Sequence, residues 1–126
     1  MDLKNKQKNI RTIDSADQLI AQLEEKTHPI KSQEKTPSKE DIQLLKSIYH
    51  AIEILKTNPF AGTTVSHKNW PKNLELLPNI FSIDLSQNWK LLYYVTGTKV
   101  TIISVIFEIC NKKKYDELFG KISGSN

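Results

Sequence analysis

The stretch that decides the fold is Ile80–Ile109, IFSIDLSQNWKLLYYVTGTKVTIISVIFEI. Its first six residues alternate. Ile80, Ser82 and Asp84 point to one side of an extended chain and Phe81, Ile83 and Leu85 to the other, because successive side chains of a strand face opposite ways. Ser86-Gln87-Asn88 is a turn, Trp89 to Thr96 is rich in aromatic and branched residues, and Gly97-Thr98 reads as a hairpin. Lys99 to Ile109 is almost continuously apolar, which suits a central strand covered on both faces. Three strands joined by short turns make an antiparallel meander. On the middle strand Lys90, Leu92 and Tyr94 share one face, and Trp89, Leu91, Tyr93 and Val95 share the other.

Outward from the meander the pattern turns helical. Asn111 breaks the last strand, and Lys112 to Phe119 reads as a short helix closed by Gly120. Upstream, Ser38 and Asp41 form a cap-like pair before a helix whose apolar stripe is Ile42, Leu45, Ile48, Tyr49, Ile52 and Leu55, and Asn58-Pro59 stops it. Ala61 to Pro78 is a long loop with room for one short strand or turn. An earlier helix begins at a capping box, Ser15 with Gln18, carries Ala16, Leu19, Ile20 and Leu23 on one face, and ends near Lys26. Thr27 to Pro37, with two prolines, is a connection. Asn9 to Ile13 suits a short strand, and the first eight residues suit a frayed tail. The expected architecture is α+β in a single domain over residues 1–126. Two N-terminal helices pack on a mainly antiparallel sheet of about four strands, followed by a short C-terminal helix.

Composition narrows the function classes. The chain has 126 residues, eighteen basic against fourteen acidic, and a formal charge of +4. All the basic residues but Arg11 are lysines, which offer mobile point charges instead of the planar fork that grips phosphate with two parallel hydrogen bonds. That balance suits RNA, DNA or an acidic partner, and equally a surface that is merely well solvated. No apolar run approaches the length of a membrane span, and the charged N-terminus has no apolar core behind it, so a cytoplasmic protein is expected. A lone cysteine, Cys110, excludes an intramolecular disulfide and a cysteine-cluster zinc site. His28, His50 and His67 show no metal-ligand spacing. His67 and Trp70 among Lys68 and Lys72 suit single-stranded RNA, held by charge and stacking, or a loop aromatic anchored on the core.

Three local patterns, taken in order, resemble the RelE/ParE superfamily of type II toxin–antitoxin toxins. The first is Ala51 to Gly62, AIEILKTNPFAG, similar to that family's long helix followed by Asn-Pro-Phe and Gly. The second is Phe81 to Tyr94, FSIDLSQNWKLLYY, similar to its paired strands across a tight turn. The third is Val105 to Phe119, VIFEICNKKKYDELF, which resembles its final strand, basic stretch and Tyr-containing tail. The resemblance covers about residues 40 to 120.

For the messenger-cleaving branch, the resemblance implies ribosome-dependent RNase chemistry without a metal or other cofactor, in which the messenger's own 2′-hydroxyl attacks the adjacent phosphate. It places Lys90 where the family usually has a phosphate-binding arginine. Tyr115 falls where a tyrosine stacks or moves a proton, and Lys112, Lys113 and Lys114 fall where Arg or His is common. Lys90, Tyr115, Lys113 and Asp84 are the catalytic candidates; Lys68, Lys72, Lys112 and Lys114 are the RNA-binding ones. Ser82 and Asp84 depart from the family's basic strand, where an aspartate repels phosphate unless it is a general base or pairs with Lys90. The partners implied are a cognate antitoxin, the ribosome and messenger, or DNA gyrase in a ParE-like alternative; a binding protein that has lost cleavage, and a small interaction domain unrelated to toxins, stay open beside these.

Overall fold

The structure, a computed structural model, describes residues 6–27 and 38–120. His28 and most of the expected connection to Pro37 lie outside those residues, as does the beginning of the expected tail. The elements in order are β1 (Gln7–Thr12), α1 (Asp14–Thr27), α2 (Lys39–Thr57), β2 (Thr63–Thr64), β3 (Phe81–Asp84), β4 (Lys90–Gly97), β5 (Thr101–Cys110) and α3 (Lys112–Phe119). The result is an α+β fold on a five-stranded sheet of order β1-β5-β4-β3-β2. All pairings are antiparallel except β1 with β5, which is parallel. The fifth strand is the two-residue β2, which lies in the long loop after Pro59 and pairs with β3. β1 takes in Gln7 and Lys8, two residues that the polar composition of the N-terminus assigned to the tail.

The apolar run of β5 is explained by its place between β1 and β4, with cover on both faces. On one face α1 and α2 pack Ala16, Leu23, Leu45, Ile48 and Leu55 against Leu91, Tyr93, Val95, Ile106 and Ile109. On the other, Leu92, Phe107 and Cys110 meet Phe119 of α3 and Val65 and Ile80 of the loop region, with Trp70, Leu74 and Leu77 packed around them. Each fully buried Leu, Ile or Phe contributes about 1.5–3 kcal/mol relative to exposure, so both layers are needed to hold the sheet.

The helix boundaries show which local signals win. Ser38 caps α2 as expected, its hydroxyl accepting the Asp41 N–H at 3.0 Å. The buried stripe of α2 is rotated slightly from the expected one: Leu44 and Ala51 are buried, while Tyr49 is 40% exposed and donates its hydroxyl to Glu24 of α1. That bond joins the two helices from the solvent side and pushes the Tyr49 phenol up to about 12. The expected capping box at Ser15 does not form. Asp14, in a left-handed conformation at φ 53, opens α1, and Ser15 donates its hydroxyl to Glu108 across the fold at 3.0 Å.

Two polar contacts fix the loop after α2 to the sheet. The buried Tyr93 hydroxyl accepts the Gly62 N–H at 2.9 Å, and a Cβ at Gly62 would lie 2.8 Å from both that hydroxyl and the Ser82 carbonyl oxygen. Only glycine fits, so the Asn-Pro-Phe-Ala-Gly junction ends in the one residue that lets backbone approach the sheet this closely. Asn79 extends the ladder beyond β3 with its side chain: its amide donates to the Val95 carbonyl at 3.1 Å and its oxygen accepts the Val95 N–H at 2.7 Å.

Candidate functional site

The register of the meander brings the candidate residues together. Asp84, last in β3, is the direct partner of Lys90, first in β4, and Ser82 is the partner of Leu92. Directly opposed antiparallel residues share a face with their Cβ atoms about 4.5–5.5 Å apart. Ser82, Asp84, Lys90, Leu92 and Tyr94 therefore share one face, the one that points away from α1 and α2. Lys90 Nζ lies 2.5 Å from Asp84 Oδ1. The Asp84 side chain is 81% exposed and that of Lys90 27%, so the ammonium is half-sheltered and the carboxylate open.

The shelter comes from α3. Asn111 caps this helix by accepting the Lys114 N–H at 2.8 Å, and Phe119 is buried against the sheet. One turn before Phe119, Tyr115 lies under Lys90, whose Nζ is 5.2 Å from the ring centroid, within cation–π range. The Tyr115 ring also contacts Phe119 at 4.9 Å. Burial pushes the Tyr115 phenol up, against the opposing pull of the Lys90 charge, so it keeps its proton at neutral pH. Asp84, Lys90 and Tyr115 thus form one patch holding a proton acceptor, a cation and a proton donor.

The other lysines divide into paired and free. Lys112 Nζ binds Asp116 at 2.9 Å and Lys114 Nζ sits 4.0 Å from Glu108, so both cations face a carboxylate. Lys113 is exposed, and among the described residues no ion pair holds it. Lys68 and Lys72 are exposed on the loop that covers the same sheet face, next to His67 and Trp70, whose rings are 4.5 Å apart. Trp70 itself donates to the Val65 carbonyl at 3.0 Å and packs inward, the anchoring role left open by the sequence. Among the described residues no hydrogen bond or ion pair joins Lys68, Lys72 or Lys113 to the Asp84–Lys90–Tyr115 patch. Cys110 is buried at the end of β5, and burial, with Glu108 adding to it, pushes its thiol up to about 12.

The sequence did not reveal where Arg11 lies. Parallel pairing puts Arg11 beside Val105, which is paired with Tyr94, so the single arginine is on the same sheet face as Lys90. It is separated from Lys90 by about 13 Å along the strand and about 10 Å across it. A parallel partner for β5 leaves no local sequence signal, because the two strands are joined through the rest of the fold.

A second feature lies where β1 stops. β1 pairs with β5 only as far as Thr12 and Ile106, so among the described residues the outer edge of β5 from Phe107 to Cys110 has no strand neighbour. Beside that edge is a cleft of about 300 Å³ bordered by α1, Trp89 and the start of α3. Among the described residues no group of three or more His, Cys, Asp or Glu is arranged to hold a metal ion, and no helix is long and apolar enough to cross a membrane. In comparisons with family models, curated proteins and solved structures, nothing matches the chain.

Proposed function

We propose that the chain is the toxin of a type II toxin–antitoxin pair, of the RelE kind, and that it cuts messenger RNA in the ribosomal decoding site. The observation that carries this reading is the patch in which the Lys90 ammonium lies 2.5 Å from the Asp84 carboxylate and 5.2 Å from the Tyr115 ring. In-line cleavage by a 2′-hydroxyl needs a group to take that proton, a cation at the phosphorus, and a proton for the departing oxygen. Asp84 takes the 2′-hydroxyl proton as the 2′-oxygen bonds to phosphorus. Lys90 faces the phosphate oxygens. The bond from phosphorus to the 5′-oxygen breaks, and that oxygen takes the Tyr115 proton. The products are a 2′,3′-cyclic phosphate and a 5′-hydroxyl. Lys113 and the loop lysines Lys68 and Lys72 attract the RNA backbone from the margins. Such a toxin works in the cytoplasm and is held silent by a cognate antitoxin.

A specific observation favours a second reading. Lys90, Lys112 and Lys114 each face a carboxylate, which lowers the positive potential that a polyanion would meet. A ParE-like inhibitor of DNA gyrase, or a related binding protein without cleavage, needs no such potential. Translating ribosomes with a defined messenger, run beside a gyrase supercoiling assay, separate the two. A discrete cut with supercoiling untouched supports the nuclease; blocked supercoiling with intact messenger supports the alternative.

A further inference from the structure

The cleft beside the open edge of β5 has the chemistry of a base-binding site. Ser15, Gln18, Leu19 and Gln22 follow at i, i+3, i+4 and i+7, so one stripe of α1 forms a wall. Trp89, Leu19 and Ile109 supply apolar surface, and Glu108 of β5 and Lys114 of α3 supply the charged groups. The stripe lies beside the buried one and is exposed at Gln18 and Gln22, where a packing role would call for apolar residues. Neither of those side-chain amides has a hydrogen-bond partner among the described residues, whereas Ser15 is bound to Glu108 and Asn111 to the Lys114 N–H. These two amides, each with donors and an acceptor, border a cleft of about 300 Å³ together with the Trp89 indole. That volume is at the small end of ligand pockets.

We propose that this cleft holds one nucleobase of the RNA, stacked on Trp89 and read at its edge by Gln18 and Gln22, with Lys114 toward the adjoining phosphate. A planar heterocycle with alternating donors and acceptors is the ligand that uses both an aromatic face and free amides. The cleft wraps the edge of the sheet: Trp89 and Ile109 border it from the α1 side, and Cys110, the direct partner of Lys90, borders it from the side of the Asp84–Lys90–Tyr115 patch. The inference rests on the nuclease reading and deepens it, by assigning one nucleotide of the bound strand to a site at the edge of the sheet.

The test titrates the full chain with each of the four nucleoside 5′-monophosphates, and with ribose 5-phosphate as the base-free control, following the Trp89 indole and the Gln18 and Gln22 side-chain amides by NMR. The expected result is a saturable shift of those signals at millimolar nucleotide, with the Trp70 indole unmoved and ribose 5-phosphate without effect. Gln18→Ala with Gln22→Ala, both at exposed positions, should weaken binding about tenfold and leave the rest of the spectrum unchanged. Absence of any shift, or equal shifts with ribose 5-phosphate, overturns the assignment. Nucleotide binding without messenger cleavage keeps the cleft and ends the nuclease reading. Messenger cleavage with the same sequence preference in the double variant does the reverse.

Discussion

Replacing Asp84 with Asn separates the two tasks its carboxylate performs in this account, neutralising Lys90 and accepting a proton. The pair is short, 2.5 Å, but the carboxylate is 81% exposed, so its loss should cost less than about 1 kcal/mol of stability. In a domain of this size that lowers the melting temperature by a few degrees at most. The released ammonium becomes available to phosphate. One additional contact steepens the salt dependence of single-strand binding by about 0.7 in log–log slope, which is about fivefold tighter binding at 0.1 M salt. Cleavage should move the other way. Without a base for the 2′-hydroxyl, the rate should fall by about 10²–10⁴. Anisotropy of a labelled single-stranded RNA across a range of salt gives the slope, and cutting on ribosomes gives the rate. An unchanged slope would mean that Lys90 never meets phosphate, and tighter binding with undiminished cutting would remove Asp84 as the base. Either result refutes that part of the reasoning.

Two further predictions test the frame that holds the patch. Asn79→Ala should lower stability by about 1–3 kcal/mol, because it leaves the Val95 N–H and carbonyl without partners beyond the end of β3; urea denaturation should show a lower midpoint with an unchanged slope. The Cys110 thiol is raised from 9.0 to about 12 in the folded chain, so the folded state holds its proton more tightly than the unfolded one. Its contribution is intact below about pH 9 and is lost as pH climbs toward 12, by up to about 4 kcal/mol. The stability of Cys110→Ala should therefore decline less than that of the parent over that window. At neutral pH a thiol reagent should modify the folded parent no faster than it unfolds.

Legibility followed the range of each signal. The meander was readable because alternation and turn residues act between neighbours in sequence and sort the faces within each strand, whereas the facing of Asp84 with Lys90 is set by the register between the strands. The Ser38 cap was readable for the same reason. The Ser15 capping box was not, because Ser15 is drawn to Glu108, a partner 93 residues away that no local pattern announces. Tyr49 fell on the apolar stripe by spacing, yet its hydroxyl is held at the surface by Glu24 of the neighbouring helix. The place of Arg11 was not legible, for the deepest reason. Only the parallel pairing of β1 with β5 puts it on the face of Lys90, and that pairing depends on the whole chain closing. The contact of Lys90 with Tyr115 depends on how α3 folds back over the sheet, which the basic run before Tyr115 does not specify.

The most direct measurement uses translating ribosomes, a defined messenger and three proteins: the parent, Lys90→Ala with Tyr115→Phe, and Tyr115→Phe alone. The account predicts a discrete cut by the parent, leaving a 2′,3′-cyclic phosphate and a 5′-hydroxyl, and no cut where the messenger carries a 2′-deoxy nucleotide at that position. It predicts that Tyr115→Phe, which keeps the ring under Lys90, cuts more slowly by about 10²-fold or more while folding like the parent. It also predicts that the double variant does not cut. An intact messenger with the parent protein, or a cut at full rate by the double variant, would contradict the account.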